Sequence, residues 1–167
     1  MAQDVSLFEQ FLLDVPPNWH PFVYRINALL DETGHDFALT SAVSGPVASY
    51  RDPKSKHVVI NYVFRRKKLH VRIYADHVCQ DATLLAEMPE DMAEKMRKSP
   101  VCRRLLDPTK CNPRCRMGYT FVLRDELIKK CRYSCFLLEV TESREPYLLA
   151  LIQSEVHGRA ADAAKQL

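Results

Sequence analysis

Glycine is scarce in this chain, with four residues in 167. So little glycine leaves hardly any material for loops that wrap a phosphate. No glycine-rich phosphate loop, dinucleotide fingerprint or H-E-x-x-H helix is present. Long apolar runs are missing as well, and none approaches the roughly 18 residues that cross a bilayer. The opening Met-Ala-Gln-Asp lacks the basic start and unbroken apolar stretch of a secretory signal, and Asp14, Pro16 and Pro17 soon follow. The expectation is therefore a cytoplasmic protein with no membrane partner. No internal repeat is visible. What is there is ordinary for a folded chain: 47% apolar and 27% charged residues. The length suits one domain.

A reducing cytosol changes how the six cysteines are read. In a secreted chain they would suggest disulfides, whereas clustered cytosolic thiols more often bind metal or do redox chemistry. Cys79 stands apart. The other five fall between Cys102 and Cys135.

The apolar pattern divides the chain into elements. Ser6 to Leu13 is a short amphipathic stretch, stopped by Pro16-Pro17. From Asn18 to Thr33 the residues Phe22, Val23, Ile26, Leu29 and Leu30 recur at helical spacing, and Gly34 is a natural stop. Phe37 to Arg51 reads as extended chain broken near Ser44-Gly45-Pro46. Val58 to Phe64 and Leu69 to Ala75 alternate with period two around an Arg65–Lys68 corner, which predicts an antiparallel hairpin. Helices are expected near Ala82–Ala86 and Pro89–Lys98, then strands over Tyr119–Arg124 and Cys131–Val140. A closing helix is expected over Glu145–Val156. Residues 157–167 are alanine-rich and polar and are expected to form a frayed tail. The predicted architecture is one α+β domain over residues 1–156. It has a mainly antiparallel sheet of about five strands, helices on one face, and a cysteine-rich segment at 99–135.

Within that segment Cys111 and Cys115 flank Asn-Pro-Arg, a turn-prone tripeptide able to fold two sulfurs to one side. The spacing is close to that of structural zinc sites, where four thiolate or imidazole ligands converge at about 2.3 Å for sulfur. Two more ligands must come from Cys102, Cys131 and Cys135. On a strand, Cys131 and Cys135 would share a face but lie roughly 13 Å apart at 3.3 Å per residue. Cys135, among Phe136, Leu137 and Leu138, then reads as core. The preferred set is Cys102, Cys111, Cys115 and Cys131, with Cys135 the alternative ligand if residues 129–136 were helical. Zinc is the expected metal.

The passage from Ser99-Pro-Val-Cys102 through Asp107-Pro-Thr-Lys-Cys111-Asn-Pro-Arg-Cys115, then Gly118-Tyr-Thr-Phe121 and Lys130-Cys-Arg-Tyr133, resembles a family of small uncharacterised bacterial proteins. The hairpin from Val58 to His77 looks like part of the same pattern. The resemblance implies a bacterial cytosolic origin and carries no activity with it.

Charge is distributed unevenly. From Lys95 through Arg132 there are twelve Lys and Arg against Asp107, Asp125 and Glu126, in a chain whose net charge is only +3. With Tyr119, Phe121 and Tyr133 interleaved, this basic face suits nucleic acid or another anionic partner, with Arg103, Arg104, Arg114 and Arg116 as anion-binding candidates. The same charges would also offset a four-thiolate zinc centre. Two alternatives stand beside this binding module. One is a small-molecule sensor or enzyme with a pocket over the sheet lined by Trp19, Tyr50 and Tyr74. The other is a thiol redox sensor. His77 and Cys79 beside Asp76 could pair a nucleophile with a base, but no oxyanion hole or orienting group is marked. The reading leans away from catalysis.

Overall fold

The computed structural model describes residues 5–166, without the side chain of Cys79. Chain entry is set by a capping box. Ser6 Oγ accepts the Glu9 N–H at 3.2 Å, and the Glu9 carboxylate accepts the Ser6 N–H at 2.9 Å, opening α1 (Leu7–Leu12). One and a half turns are too few to stand alone, so Phe11 and Leu12 are buried to hold them. A 3₁₀ turn, Pro17–Trp19, leads into α2 (His20–Glu32), whose Phe22, Val23, Ile26 and Leu30 are buried at helical spacing. Gly34 follows with φ +74°, the left-handed conformation that closes many helices.

Four strands then meander: β1 (Asp36–Ala42), β2 (Gly45–Arg51), β3 (Val58–Arg65) and β4 (Lys68–Ile73). With β7 (Phe136–Glu139) they form an antiparallel sheet in the order β1-β2-β3-β4-β7. The β3–β4 register pairs Tyr62 with Val71 and Ile60 with Ile73, and β7 sets Leu138 beside Val71 and Phe136 beside Ile73. That register puts one apolar row against α1 and α2. Phe11 stacks on Tyr62 at 5.3 Å between ring centroids, and Phe37 meets Tyr50 edge-on at 5.0 Å. The Tyr50 hydroxyl donates to Asn27 Oδ1 at 2.7 Å. The fold is α+β, as the pattern predicted.

Three further helices are short: α3 (Ala82–Glu87), α4 (Glu90–Arg97) and α5 (Arg103–Leu106). A separate ribbon, β5 (Tyr119–Leu123) with β6 (Glu126–Lys130), carries the cysteine segment. It is anchored by Phe121, Leu123 and Ile128, and Phe121 meets Phe136 of β7 edge-on at 6.1 Å.

Two sequence expectations change here. The strand expected from Cys131 begins only at Phe136, because residues 131–135 form a turn. The unexpected strand is β6, whose inward residues Ile128 and Lys130 give a weak apolar signal. The closing helix, α6, runs from Glu145 to Ala164, past the expected boundary at Val156. Residues 157–164 continue the helix, where Arg159 donates to Tyr74 O and Asp162 holds His77, both in the segment that follows β4.

Candidate functional site

The cysteine lobe is assembled around one bridge. Val101 pairs with Lys130, so the Cys102 N–H donates to Lys129 O at 2.9 Å and the Cys131 N–H to Pro100 O at 3.1 Å. Two cysteines far apart in sequence thus flank the same ladder rung. Cys102 also precedes α5 directly, and its buried sulfur meets the N–H groups of Leu105, Gly118 and Arg104. Burial pushes this thiol up, but those donors and the Arg104 charge outweigh it, and its pKa falls below the ordinary value. Gly118 is required for the approach: a Cβ there would stand 2.8 Å from the Cys102 sulfur.

The Asn-Pro-Arg turn does what its sequence suggested. Asn112 Oδ1 accepts the Arg114 N–H and Asn112 O accepts the Cys115 N–H, both at 2.9 Å. Cys111 and Cys115 are thereby brought into hydrogen-bonding contact. Burial raises the Cys115 thiol pKa, and the Cys111 bond and the charges of Cys111, Cys131 and Cys102 raise it further. Cys135 is absent from that set. It is half-buried beside Tyr74, whose hydroxyl pKa is raised by burial and by the Cys135 charge and hydrogen bond. The strand spacing that counted against Cys135 does not apply, because residues 131–135 form a turn, and Cys135 is half-buried instead of a core residue. All five clustered cysteines are free thiols. Among the described residues no three His, Cys, Asp or Glu side chains stand close enough together to hold a metal ion.

The four candidate arginines differ in position. Arg104 turns inward and donates to the carbonyls of Pro113 (3.3 Å) and Cys115, latching the loop shut. Arg103, Arg114 and Arg116 are exposed and make no ion pair with any described residue. Beneath them Lys130 is fully buried. Its ammonium donates to Cys131 O at 2.8 Å and to Ser134 O and Oγ at 2.5 Å, and lies 4.8 Å over the Phe136 ring. These bonds to the carbonyls of residues 131 and 134 fold the segment into a turn instead of a strand. Desolvation pulls the ammonium down to about 8, against the charges of Cys131, Cys135 and Asp76.

Beside the lobe lies a network that the sequence reading did not assemble. His77 is held between two carboxylates, with Nδ1 at 3.2 Å from Glu155 Oε2 and Nε2 at 2.8 Å from Asp162 Oδ2. Glu155, 1% exposed, also accepts the backbone N–H groups of Asp76 (2.8 Å) and His77 (3.0 Å). Its other oxygen accepts Arg159 Nε at 2.6 Å, and Arg159 Nη2 donates to Tyr74 O at 2.7 Å. The Glu155 bond raises the imidazole most, burial opposes it, and Asp162 adds to it, lifting the pKa to about 9. Both ring nitrogens are occupied, so His77 is not poised as a free base for catalysis; the Cys79 side chain lies outside the described residues. Gly158 packs against the ring, where a Cβ would come 2.5 Å from Cγ. The legible signals were a lone glycine inside a helical stretch and Glu155, Arg159 and Asp162 on one helical face.

The pocket expected from Trp19, Tyr50 and Tyr74 does not form as one space. Tyr50 is in the core at 1% exposure. Trp19 lines an open groove of about 560 Å³ beside Lys68 and Glu139. Tyr74 lines a different cleft of about 440 Å³, between the cysteine lobe and α6. No described helix is long and apolar enough to cross a membrane. No protein-family model, curated protein or solved structure matches the chain. The site is read from its own geometry.

Proposed function

We propose that the chain is a zinc-stabilised binding module. In this reading Cys102, Cys111, Cys115 and Cys131 hold the metal, and the basic face over residues 95–132 meets a nucleic acid or similar polyanion. The observation that carries the reading is the convergence of cysteine segments: the Val101–Lys130 bridge sets Cys102 and Cys131 on neighbouring backbone, and the Asn112 turn folds Cys115 back towards Cys111. Zinc binding deprotonates its thiols, so such a cluster can be joined by the metal it would hold. The N–H groups aimed at the Cys102 sulfur support the same reading, since they favour a thiolate before any metal arrives.

A four-thiolate centre is closed, so its work is structural and no coordination position is left for substrate. The arginines then have two roles. Arg104 ties the loop, while Arg103, Arg114 and Arg116 face outward, free of ion pairs, as a polyanion requires. Elemental analysis of protein purified without added metal tests the first half. One zinc per chain, lost in Cys111→Ser or Cys115→Ser, is expected, and fully reduced, metal-free, folded protein would overturn it. Binding of a single-stranded oligonucleotide tests the second half. Affinity should fall steeply with salt and weaken in an Arg103→Ala/Arg114→Ala variant. No binding at low salt would refute it.

A further inference from the structure

We propose that the cleft between the cysteine lobe and α6 is a binding site for a small phosphomonoester. Four segments meet there: the turn after β2 with Lys54 and Ser55, the end of β4 with Tyr74, the lobe with Arg116, Arg132 and Tyr133, and α6 with Arg159. The space of about 440 Å³ is in the usual range for a small-molecule site.

What a ligand would meet is decided by which charges are already matched. The acids of the wall are engaged. Asp76 pairs with Arg132 at 3.2 Å, and Asp162 holds His77 at 2.8 Å. Asp52 accepts the backbone N–H groups of Lys54 (3.0 Å) and Ser55 (2.7 Å) and the Ser55 hydroxyl (3.0 Å). The cations are only partly engaged. Arg116 and Lys54 make no close ion pair with any described residue, although the Arg116 charge reaches Asp162 across the cleft. Arg159 uses Nε on Glu155 and Nη2 on Tyr74 O, which leaves Nη1. Arg132 uses Nε on Met117 O and Nη1 on Asp76, which leaves Nη2. The unmatched groups around the cleft are donors and positive charges.

Two of these guanidiniums are also fixed in place. The side chains of Arg159 and Arg132 are 16% and 21% exposed, and each is held by at least two bonds. Preorganised arginines lose little entropy on binding, and their planar forks match the oxygens of a phosphate. A carboxylate offers one charge and two oxygens. A phosphomonoester offers three terminal oxygens and about −1.5 to −2 charges near neutrality, the better match to cations arriving from three sides. Tyr133, 55% exposed, stands at the rim where a ring attached to the phosphate would lie.

The site does not use Arg103 or Arg114, so removing those two charges separates it from the polyanion reading, with which it shares Arg116 and the folded lobe. The test is titration of the full chain with ribose 5-phosphate, adenosine 5′-monophosphate and adenosine, followed by amide chemical shifts. Both phosphate esters are expected to bind and to move amides near Lys54, Arg116 and Arg159, while adenosine does not. A Lys54→Ala/Arg116→Ala variant, which breaks no recorded ion pair, should weaken binding at least about tenfold, one lost charged contact being enough for that factor. Arg103→Ala/Arg114→Ala should leave it unchanged. No binding of either ester at millimolar concentration would overturn the proposal. So would equal binding of adenosine, or unchanged affinity in the Lys54/Arg116 variant.

Discussion

The sheet and the cysteine lobe are held together by different means. In the sheet, Phe11, Phe22, Tyr50 and Tyr62 are at most 1% exposed and pack ring against ring across two helices and two strands. Each such side chain contributes about 1.5–3 kcal/mol of burial, so the loss of any single polar contact there is absorbed. The lobe over residues 99–135 buries only Cys102, Phe121, Leu123, Ile128 and Lys130, and one of those is an ammonium. Its shape rests on turns closed by Asp107, Asn112 and Lys130 and on the Arg104 latch. A region with so small a core is held by specific contacts, and each of them matters more.

The sharpest way to break this contrast is at Gly118. Alanine there drives a Cβ into the Lys130 carbonyl oxygen, which is backbone, and against the Cβ and sulfur of Cys102. Destabilisation of about 3 kcal/mol or more is expected, confined to the lobe. Hydrogen exchange should show lobe amides opening while β3 and β4 stay protected; equal loss in both regions would show that they are one cooperative unit. Next in size is Glu155→Gln, where α6 meets the lobe side of the sheet. It leaves His77 and Arg159 without their buried counter-charge and should cost about 3 kcal/mol, read as a lowered midpoint in urea.

The same network sets a pH dependence. The His77 pKa is raised from 6.5 to about 9 in the folded chain. Its contribution is therefore complete below pH 6.5 and disappears as pH rises through about 9. Lys130 acts in the opposite sense, because its folded pKa is depressed from 10.5 to about 8 and folding is favoured as pH climbs through that interval. Comparing wild type with His77→Asn isolates the imidazole. The difference between them should shrink by on the order of 2 kcal/mol from pH 6.5 to above 9. A difference that does not change with pH would refute the charged clasp.

The smallest expected effect lies in the sheet and has the opposite sign. Arg66 and Lys67 turn the β3–β4 hairpin with φ of +50° and +62°. Left-handed conformations disfavour side chains, and this two-residue turn favours Asn-Gly. Arg66→Asn with Lys67→Gly should stabilise the protein by about 1 kcal/mol, visible as a higher thermal midpoint.

How much of this was legible follows the same division. The hairpin of β3 and β4 and the long second helix are written in local periodicity, because each buries a face against the sheet core. The Asn112–Arg114 turn was legible from its residue types. The turn from Cys131 to Ser134 was not, because it is made by Lys130, a charged residue whose burial no hydropathy pattern reveals. The end of α6 was misread for a related reason. Gly158 and Asp162 look like a weak, fraying tail until His77, distant in sequence, is placed against them. The preference for Cys102, Cys111, Cys115 and Cys131 over Cys135 came from a strand spacing that the turn at residues 131–135 removes, and Cys135 instead lies beside Tyr74.

A lobe clamped by the proposed zinc depends on its thiols where the sheet depends on its core. Hydrogen exchange of the native protein with and without a strong zinc chelator tests it most directly. Loss of protection at Cys102–Cys115 and Gly118–Cys131 on chelation, with β2, β3 and β4 unchanged, is the predicted result. A lobe equally protected in metal-free protein would contradict it.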